Sequence, residues 1–212
     1  MIVAGQHPNI VSPPSNRSRN PRQSKSTGQV RIVAGQWRGR KLPVPEVEGL
    51  RPTGDRVRET LFNWLQSDIS GSRCLDLFAG TGALGFESLS RYAKSVDFVE
   101  PHRVASAQIK SSLAELGRVA EVHQCTAEAF LASNNSTFDI IFIDPPFAMQ
   151  CQEDILQLLY PRHASDGALV YMEAPSRQVF SENWPPGFNM RREKQFGDVT
   201  ARLFEISKDA VS

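Results

Sequence analysis

Cysteine is scarce in this sequence, and long apolar runs are missing. The 212 residues include three cysteines, Cys74, Cys125 and Cys151, which are widely spaced and form no CxxC motif. An odd number of such cysteines indicates neither a disulfide framework nor a zinc site. No apolar run approaches the roughly 20 residues that span a bilayer, and the polar, proline-rich N-terminus does not resemble a signal peptide. We therefore expect a cytoplasmic protein with no metal ion and no membrane partner.

Net charge is nearly absent as well, but the charges are unevenly distributed. The chain carries a formal charge of +1, with 40% hydrophobic and 22% charged residues, which is the balance of a globular protein. Residues 1–60 contain 11 Lys and Arg against four Asp and Glu, so the remainder is acidic. A basic front end on an acidic body is typical of a protein that binds a polyanion at one end.

The front of the chain predicts a tail and a small extension. Residues 1–28 are rich in Ser, Asn, Pro and Arg and lack apolar periodicity, which predicts a disordered basic tail. Residues 29–67 are predicted to form an N-terminal extension of two short strands and a helix, which would bind the polyanion. Thr53 or Asp55 is placed to cap this helix, and apolar residues recur at helical spacing to about Ser67.

The rest of the chain alternates strands with helices. The predicted strands cover residues 30–35, 37–42, 73–78, 95–100, 120–124, 138–144, 168–173, 189–194 and 199–207. The predicted helices cover residues 53–67, 82–92, 102–116, 126–133 and 151–162. Regular alternation implies a parallel sheet covered on both faces. We predict an α/β fold, a doubly wound, mostly parallel, Rossmann-like sheet of seven strands with a C-terminal antiparallel hairpin, over residues 68–207, followed by a tail at 208–212.

A glycine-rich loop follows the strand at 73–78. Gly80, Gly82 and Gly85 satisfy GxGxxG, and Glu100 ends the next strand about 20 residues later, where a nucleotide fold places the acid that binds a ribose. Glycine lets the backbone approach a ligand closely. The loop fits a dinucleotide, whose pyrophosphate would lie at the helix N-terminus, and equally S-adenosylmethionine (AdoMet), whose aminoacyl arm would lie there.

Asp76 favours AdoMet over a dinucleotide. It lies inside the strand, four residues before Gly80. A carboxylate there would repel a pyrophosphate and attract the ammonium group of methionine. In a doubly wound sheet the strand at 138–144 lies beside the first strand, so its final segment, Asp144 to Phe147, faces the cofactor across the carboxyl edge.

The tetrapeptide Asp144-Pro145-Pro146-Phe147 suits a planar substrate that carries an NH2 group. The two prolines cannot continue a strand, and they leave the carbonyls of Asp144 and Pro145 available as acceptors. The Asp144 carboxylate and the Pro145 carbonyl would hold both N–H bonds and direct the nitrogen lone pair at a methyl group. Phe147 offers a stacking face. An ordinary turn at the end of a strand is the alternative.

Two parts of the sequence resemble known families. Residues 76–85, Asp-Leu-Phe-Ala-Gly-Thr-Gly-Ala-Leu-Gly, together with Asp-Pro-Pro-Phe, resemble the class I AdoMet-dependent amino-methyltransferases. The front end, residues 35–45 and 51–63, resembles the RsmD family, and the likeness extends over residues 30–206. The resemblance implies methylation of N2 of a guanine in small-subunit (16S) ribosomal RNA, at guanine 966, during ribosome assembly.

The resemblance also implies which residues form the site. The cofactor-binding residues would be Asp76, Phe78, Ala79, Gly80, Thr81, Gly82, Glu100, Pro101, Thr126, Ala127 and Asp144. The catalytic residues would be Asp144, Pro145, Pro146 and Phe147. The RNA-binding residues would be Trp37, Arg38, Arg40, Lys41, Arg51, Arg56 and Arg58. The expected partner is 16S ribosomal RNA or a small-subunit assembly particle, and the expected state is a monomer.

Some of these residues also allow a different reading of their role. Thr126 stands where related enzymes often place Asp or Asn against the adenine amino group. Arg56 and Arg58 face different sides of a helix, so the two are not both expected to contact RNA. Trp37 could instead pack the front hairpin.

Other functions stay open on the residues alone. Adenine N6 in DNA or a glutamine amide in a protein would fit the same tetrapeptide. An NAD-binding oxidoreductase would fit the glycine loop, and a non-catalytic RNA-binding module would keep the fold without needing Asp144. Methylation of cytosine C5 is disfavoured, because Cys151 lies four residues after Phe147 in a predicted helix rather than beside the turn.

Overall fold

The computed structural model describes residues 1, 28–45, 47, 54–180 and 184–208. Residues 2–27 of the predicted basic tail, the end of the C-terminal tail, Thr53 and the predicted RNA contact Arg51 lie outside the described residues.

Nine strands and five helices occur in the described ranges. The strands are β1 (Gln29–Arg31), β2 (Lys41–Pro43), β3 (Arg73–Asp76), β4 (Ser95–Val99), β5 (Glu121–His123), β6 (Phe138–Ile143), β7 (Ala164–Pro175), β8 (Phe188–Phe196) and β9 (Val199–Ile206). The helices are α1 (Asp55–Trp64), α2 (Ala83–Ser90), α3 (Arg103–Glu115), α4 (Ala127–Ser133) and α5 (Gln152–Leu159). None of these helices is both long and apolar enough to cross a membrane.

Seven of the strands form one sheet in the order β5-β4-β3-β6-β7-β9-β8. The strands β3 to β7 pair in parallel, whereas β9 runs antiparallel to both β7 and β8. The predicted doubly wound sheet with its C-terminal antiparallel hairpin is confirmed. β7 is longer than predicted at both ends, because Ala164 pairs with Phe138 and Pro175 pairs with Val199.

Each face of the sheet has its own apolar core. Parallel strands that are buried on both faces need apolar side chains in both directions, which is why β6 reads as a continuous apolar run. The first face packs against α1, α2 and α3, and its buried residues include Cys74, Phe142, Tyr171, Ala201 and Leu203. The second face packs against α4 and α5, and its buried residues include Leu75, Ile141, Val170, Met172 and Phe204.

α1 lies on the first face through one apolar stripe. Leu61, Phe62 and Leu65 are buried, and the Phe62 ring lies 6.1 Å from the ring of Phe142 in β6. The predicted cap is wrong: the N-cap residue is Gly54, and no side chain among the described residues caps the helix. Asp55 is instead the first helical residue, and its carboxylate accepts a hydrogen bond from the Arg58 guanidinium within the first turn.

The front hairpin is shorter than predicted because α2 takes its backbone donors. The Glu87 carboxylate accepts hydrogen bonds from the Val33 and Ala34 N–H groups at 2.7 and 3.0 Å. The Trp37 N–H donates to the Ser90 hydroxyl at 3.0 Å. These donors cannot also pair across a hairpin, so only residues 29–31 and 41–43 form the ladder. The intervening loop is thereby attached to α2.

Candidate active site

The glycine loop and the Asp-Pro-Pro-Phe turn leave neighbouring strands at the same edge of the sheet. Asp76 in β3 is paired with Phe142 in β6, and the Leu77 N–H donates to the Phe142 carbonyl at 3.1 Å. Parallel strands present their carboxyl ends at one edge, where α/β folds bind their ligands. The two segments that the sequence singled out therefore emerge side by side, although they are far apart in the chain.

The glycine loop is built to turn tightly and to pack closely. Gly82 is the N-cap residue of α2 and has a φ of 76°, a left-handed conformation that glycine adopts without strain. A Cβ atom on Gly85 would lie 2.1 Å from the Phe98 ring of β4, so the helix could not approach the sheet as it does. The Gly85 N–H donates to the Asp76 carboxylate at 2.9 Å, which fixes the start of α2 above β3.

Asp76 is a buried carboxylate directly beneath this loop. Its side chain is 2% exposed. The pKa of Asp76 is raised to about 7: burial is the largest cause, the hydrogen bond from Gly85 opposes the rise, and the nearby carboxylates of Asp144 and Glu100 add to it. A buried acid in this state is stabilised when a cation is placed beside it. The residues therefore fit a ligand that brings an ammonium group to the loop.

Glu100 connects the glycine loop to the end of β4. One carboxylate oxygen accepts from the Gly80 N–H at 2.8 Å, and the other accepts from the His102 N–H at 2.7 Å. The side chain is 7% exposed, and burial is the largest cause of its raised pKa. Each oxygen has a second lone pair that is available to a ligand hydroxyl.

The other predicted cofactor residues lie at the ends of β3, β4 and β5: Phe78, Ala79, Thr81, Pro101, Thr126 and Ala127. The Ala79 N–H donates to the Val99 carbonyl at 3.0 Å, which holds the loop against the end of β4. Thr126 is the N-cap residue of α4, and its hydroxyl oxygen accepts from the Ala129 N–H at 3.3 Å. One acceptor position of Thr126 is thus occupied by its own helix.

The turn after β6 presents a ring at the surface. Pro145 is buried, whereas Pro146 is exposed and its carbonyl accepts from the Met149 N–H at 2.9 Å. Phe147 is 41% exposed, so it does not belong to the core. Its ring is available for stacking beside the carboxyl edge.

A second buried acid, not singled out from the sequence, lies next to Asp144. Ile143 pairs with Met172, so the residues that follow them, Asp144 and Glu173, are neighbours on adjacent strands. Glu173 is 4% exposed, and the Tyr171 hydroxyl donates to its carboxyl at 2.8 Å. Burial, followed by repulsion from Asp144, raises the pKa of Glu173 to about 8. The sequence carried a usable signal, because Glu173 ends its predicted strand just as Glu100 does.

We expect the raised pKa of Glu173 to make the folded protein less stable as the pH rises. An unfolded Glu ionises near pH 4.3. Above that pH the unfolded chain has lost the proton that the folded protein keeps, so the stabilisation is fully present below about pH 4.3 and is lost as the pH rises through about 8.

Glu173→Gln, which can still accept from Tyr171, should reduce the fall in the urea unfolding midpoint between pH 5 and pH 8. The exposed control Glu128→Gln should leave that fall unchanged. Equal falls in both variants would contradict the assignment.

The predicted RNA-binding residues divide into exposed and buried sets. Arg38, Arg40, Lys41 and Arg56 are exposed. Two others are interior and offer little surface to an RNA: Trp37 and Arg58 are 8% and 1% exposed.

Both interior side chains have structural contacts. The Arg58 guanidinium donates to the Arg31 carbonyl at 3.0 Å and pairs with Asp55, so α1 is attached to the front hairpin. Trp37 belongs to the first core, and the Arg118 guanidinium lies 5.8 Å from its ring centre.

The exposed basic residues are also spread along the molecule. α2 starts at the carboxyl edge and has eight residues, so Ser90 lies about 12 Å from the glycine loop. The loop that carries Arg38 contacts Ser90, which places Arg38 at that far end. An open polar depression of about 390 Å³ lies there, lined by Val33, Ala34, Arg38, Glu59, Asn63, Gln66 and Arg91. Within the described ranges, no group of three or more His, Cys, Asp or Glu side chains is placed to bind a metal ion.

Comparison with known proteins gives consistent matches over most of the chain. A family model described as Conserved hypothetical protein 95 matches residues 30–205. The chain is 46% identical over 189 residues to the ribosomal RNA small subunit methyltransferase D of Escherichia coli K12, covering 88% of this chain and 94% of that protein. The protein of the same name from Haemophilus influenzae is 46% identical over 186 residues, covering 84% of this chain and 94% of its own length. The solved structure of yhhF from Escherichia coli superimposes with a TM-score of 0.79 at 43% identity, covering 85% of this chain and 99% of that one.

Proposed function

Because the chain belongs to the RsmD family of methyltransferases, we propose that it transfers a methyl group from AdoMet to the exocyclic N2 of a guanine in small-subunit ribosomal RNA. The observation that carries this proposal is the adjacency of the glycine loop and the Asp-Pro-Pro-Phe turn at the ends of β3 and β6. The names of the relatives support ribosomal RNA as the substrate. Family membership also favours AdoMet over a dinucleotide at the glycine loop.

Each part of AdoMet would have a partner at the carboxyl edge. Asp76 would receive the ammonium group, and Gly80 and Gly82 would let the backbone approach the aminoacyl arm. Glu100 would accept from the ribose hydroxyls, and Thr126 would lie on the adenine side. When bound, AdoMet supplies a methyl group that is already activated by a sulfonium. The residues around it therefore need only to bind, orient and exclude water.

Asp144 and Pro145 would prepare the accepting nitrogen. The lone pair of guanine N2 is delocalised into the ring, which makes the nitrogen a poor nucleophile. The Asp144 carboxylate and the Pro145 carbonyl would accept hydrogen bonds from its two N–H groups, favour a more tetrahedral nitrogen and direct the lone pair toward the methyl group. As the N–C bond forms, one N–H proton would pass to the Asp144 carboxylate, which would later release it to water. Phe147 would stack on the guanine, which must leave its neighbours before it can enter the site.

Glu173 and Tyr171 would keep the acceptor site from accumulating negative charge. With a pKa of about 8, Glu173 holds its proton at neutral pH. Asp144 would then be the acid that accepts the substrate N–H group, beside a neutral neighbour. We regard Glu173 as a positioning residue, because it would act through Asp144.

The exposed front-end cations would bind the RNA backbone. We expect the double charge reversal Arg38→Glu/Arg40→Glu to weaken RNA binding and to flatten its salt dependence while AdoMet affinity is kept, because phosphate contacts release counterions. Direct titration at several salt concentrations measures both effects. Lys94→Glu/Lys110→Glu makes the same charge change at exposed positions in the segment before β4 and in α3. If the Arg38→Glu/Arg40→Glu variant bound RNA as tightly as this control, the two arginines would not belong to the RNA-binding surface of the protein.

Methyl transfer from tritiated AdoMet tests the substrate class. Unmodified small-subunit ribosomal RNA or an assembly particle made from it should incorporate label, whereas duplex DNA and unmodified ribosomal protein should not. Titration with AdoMet and with NAD should show binding of AdoMet alone. Labelling of DNA or protein in preference to RNA would overturn the proposal.

A further inference from the structure

The edge strand β8 carries two exposed cations that no described acidic side chain neutralises. Within the hairpin of β8 and β9, Arg191 pairs with Glu205, and Arg202 pairs with Glu193 at 2.7 Å. Among the described residues, Arg192 and Lys194 make no ion pair. The remaining acid of the hairpin, Asp198, lies in the turn between the strands. With respect to the described residues, the hairpin therefore presents two uncompensated positive charges two residues apart on one strand.

The register places both cations on the face of the sheet that α1 covers. Lys194 is paired with Ala201, which is paired with Glu173 in β7. Paired residues on neighbouring strands point to the same face. Ala201 belongs to the first core, so Lys194 projects on that face, and Arg192 follows because side chains alternate along a strand.

Lys194 also lies at the carboxyl edge, level with the acceptor turn. β8 runs parallel to β7, since both are antiparallel to β9. Lys194, Ala201 and Glu173 form one row across the sheet, and Asp144 is the neighbour of Glu173 on the next strand. Three strand spacings of about 4.8 Å place the backbone of Lys194 on the order of 14 Å from that of Asp144. A nucleic acid chain covers this distance within a few nucleotides.

One contact orients the lysine. Its ammonium group lies 5.1 Å from the centre of the Phe196 ring, which is partly buried in the first core. A lysine held against a ring keeps its remaining N–H donors for a phosphate, which it binds as a point charge.

We propose that Arg192 and Lys194 form a second RNA contact, which binds backbone phosphates that flank the target nucleotide on the side of the acceptor turn away from AdoMet. The cofactor side of the site is formed by β3, β4 and β5, whereas β8 lies at the opposite edge of the sheet. This inference rests on the proposed function, and its partner is the RNA backbone rather than any base.

The test compares two variants that remove the same charge. Arg192→Gln/Lys194→Gln removes both cations of β8, and Lys94→Gln/Lys110→Gln removes two exposed cations elsewhere. The probe is an unmodified transcript of small-subunit ribosomal RNA, titrated over a range of salt concentrations. Each lost phosphate contact lowers the slope of log affinity against log salt by about 0.7 for single-stranded RNA, so the first variant should lose about 1.4 and bind roughly tenfold more weakly at 0.1 M salt. AdoMet affinity should stay unchanged, and Lys194→Arg should bind RNA like the wild type.

The outcomes separate this inference from the proposed function. If the wild type methylates the transcript and the Arg192→Gln/Lys194→Gln variant binds it like the control variant, the second contact is wrong while the function stands. If the wild type transfers no methyl group to any form of small-subunit RNA, the proposed function fails on its own. A loss of AdoMet affinity in the Arg192→Gln/Lys194→Gln variant would also overturn the inference, because it would show a general disturbance of the carboxyl edge.

Discussion

Replacement of Asp144 by alanine is expected to lower the rate of methyl transfer at least 10²–10³-fold, the typical cost of removing one preorganised hydrogen-bonding group from a transition state. AdoMet affinity should change little, because its ammonium group and ribose are assigned to Asp76 and Glu100. The effect should appear in kcat, since an acceptor that tightens on a developing tetrahedral nitrogen contributes more to the transition state than to substrate binding. Single-turnover kinetics with saturating RNA measures it directly.

Two comparisons make this result specific. Asp154→Asn changes an exposed acid of the following helix, and it should methylate RNA at the wild-type rate. Loss of the Asp144 charge should also lower the pKa of Glu173, because repulsion from Asp144 is one cause of its rise. Wild-type turnover by Asp144→Ala would remove Asp144 from the mechanism and would favour a non-catalytic RNA-binding role for the turn.

Replacement of Asp76 by asparagine should weaken AdoMet binding roughly 100-fold at pH 8, since a charge-assisted contact contributes about 1.5–3 kcal/mol. The fold should survive, because the asparagine side-chain oxygen can still accept from the Gly85 N–H. The pH dependence is the sharper test. In the free protein Asp76 has a pKa of about 7, and an ammonium ligand favours its ionised form.

The affinity for AdoMet should fall at low pH, because a proton must leave Asp76 when AdoMet binds. Below pH 7 the free protein holds a proton on Asp76, and AdoMet binding must release it. AdoMet affinity should therefore fall about tenfold per pH unit below 7 and level off above it. Calorimetry in buffers of different ionisation enthalpy should detect close to one proton released at pH 6. In Asp76→Asn both the slope and the proton release should vanish, and a slope that persists unchanged would assign the titration to another group.

The glycine loop and the Asp-Pro-Pro-Phe turn were predictable because each depends only on residues within one short segment. The spacing of Gly80, Gly82 and Gly85 requires a tight turn and a close approach, and the structure shows both at Gly82 and Gly85. Asp-Pro-Pro-Phe ends a strand for reasons that involve only its own residues. The parallel sheet then determines that the two segments share an edge.

Misplaced or missed residues depended on contacts between distant parts of the chain. Arg58 precedes Leu61, Phe62 and Leu65 by three, four and seven residues and so shares their buried stripe, although arginine is a residue type that is mostly exposed. For Glu87 no local signal existed, since its role is to accept two backbone N–H groups more than fifty residues away.

The central claim is that the site directs an amino nitrogen at the methyl group, and identification of the methylated atom tests it most directly. Small-subunit ribosomal RNA labelled by the purified protein would be digested to nucleosides and separated against standards. We predict that the label is found in N2-methylguanosine, and that Asp144→Ala forms this product at least 10²–10³-fold more slowly. Label in 5-methylcytidine or in a ribose 2′-O-methyl nucleoside would contradict the account, because neither product requires an acceptor for two N–H bonds beside the methyl donor.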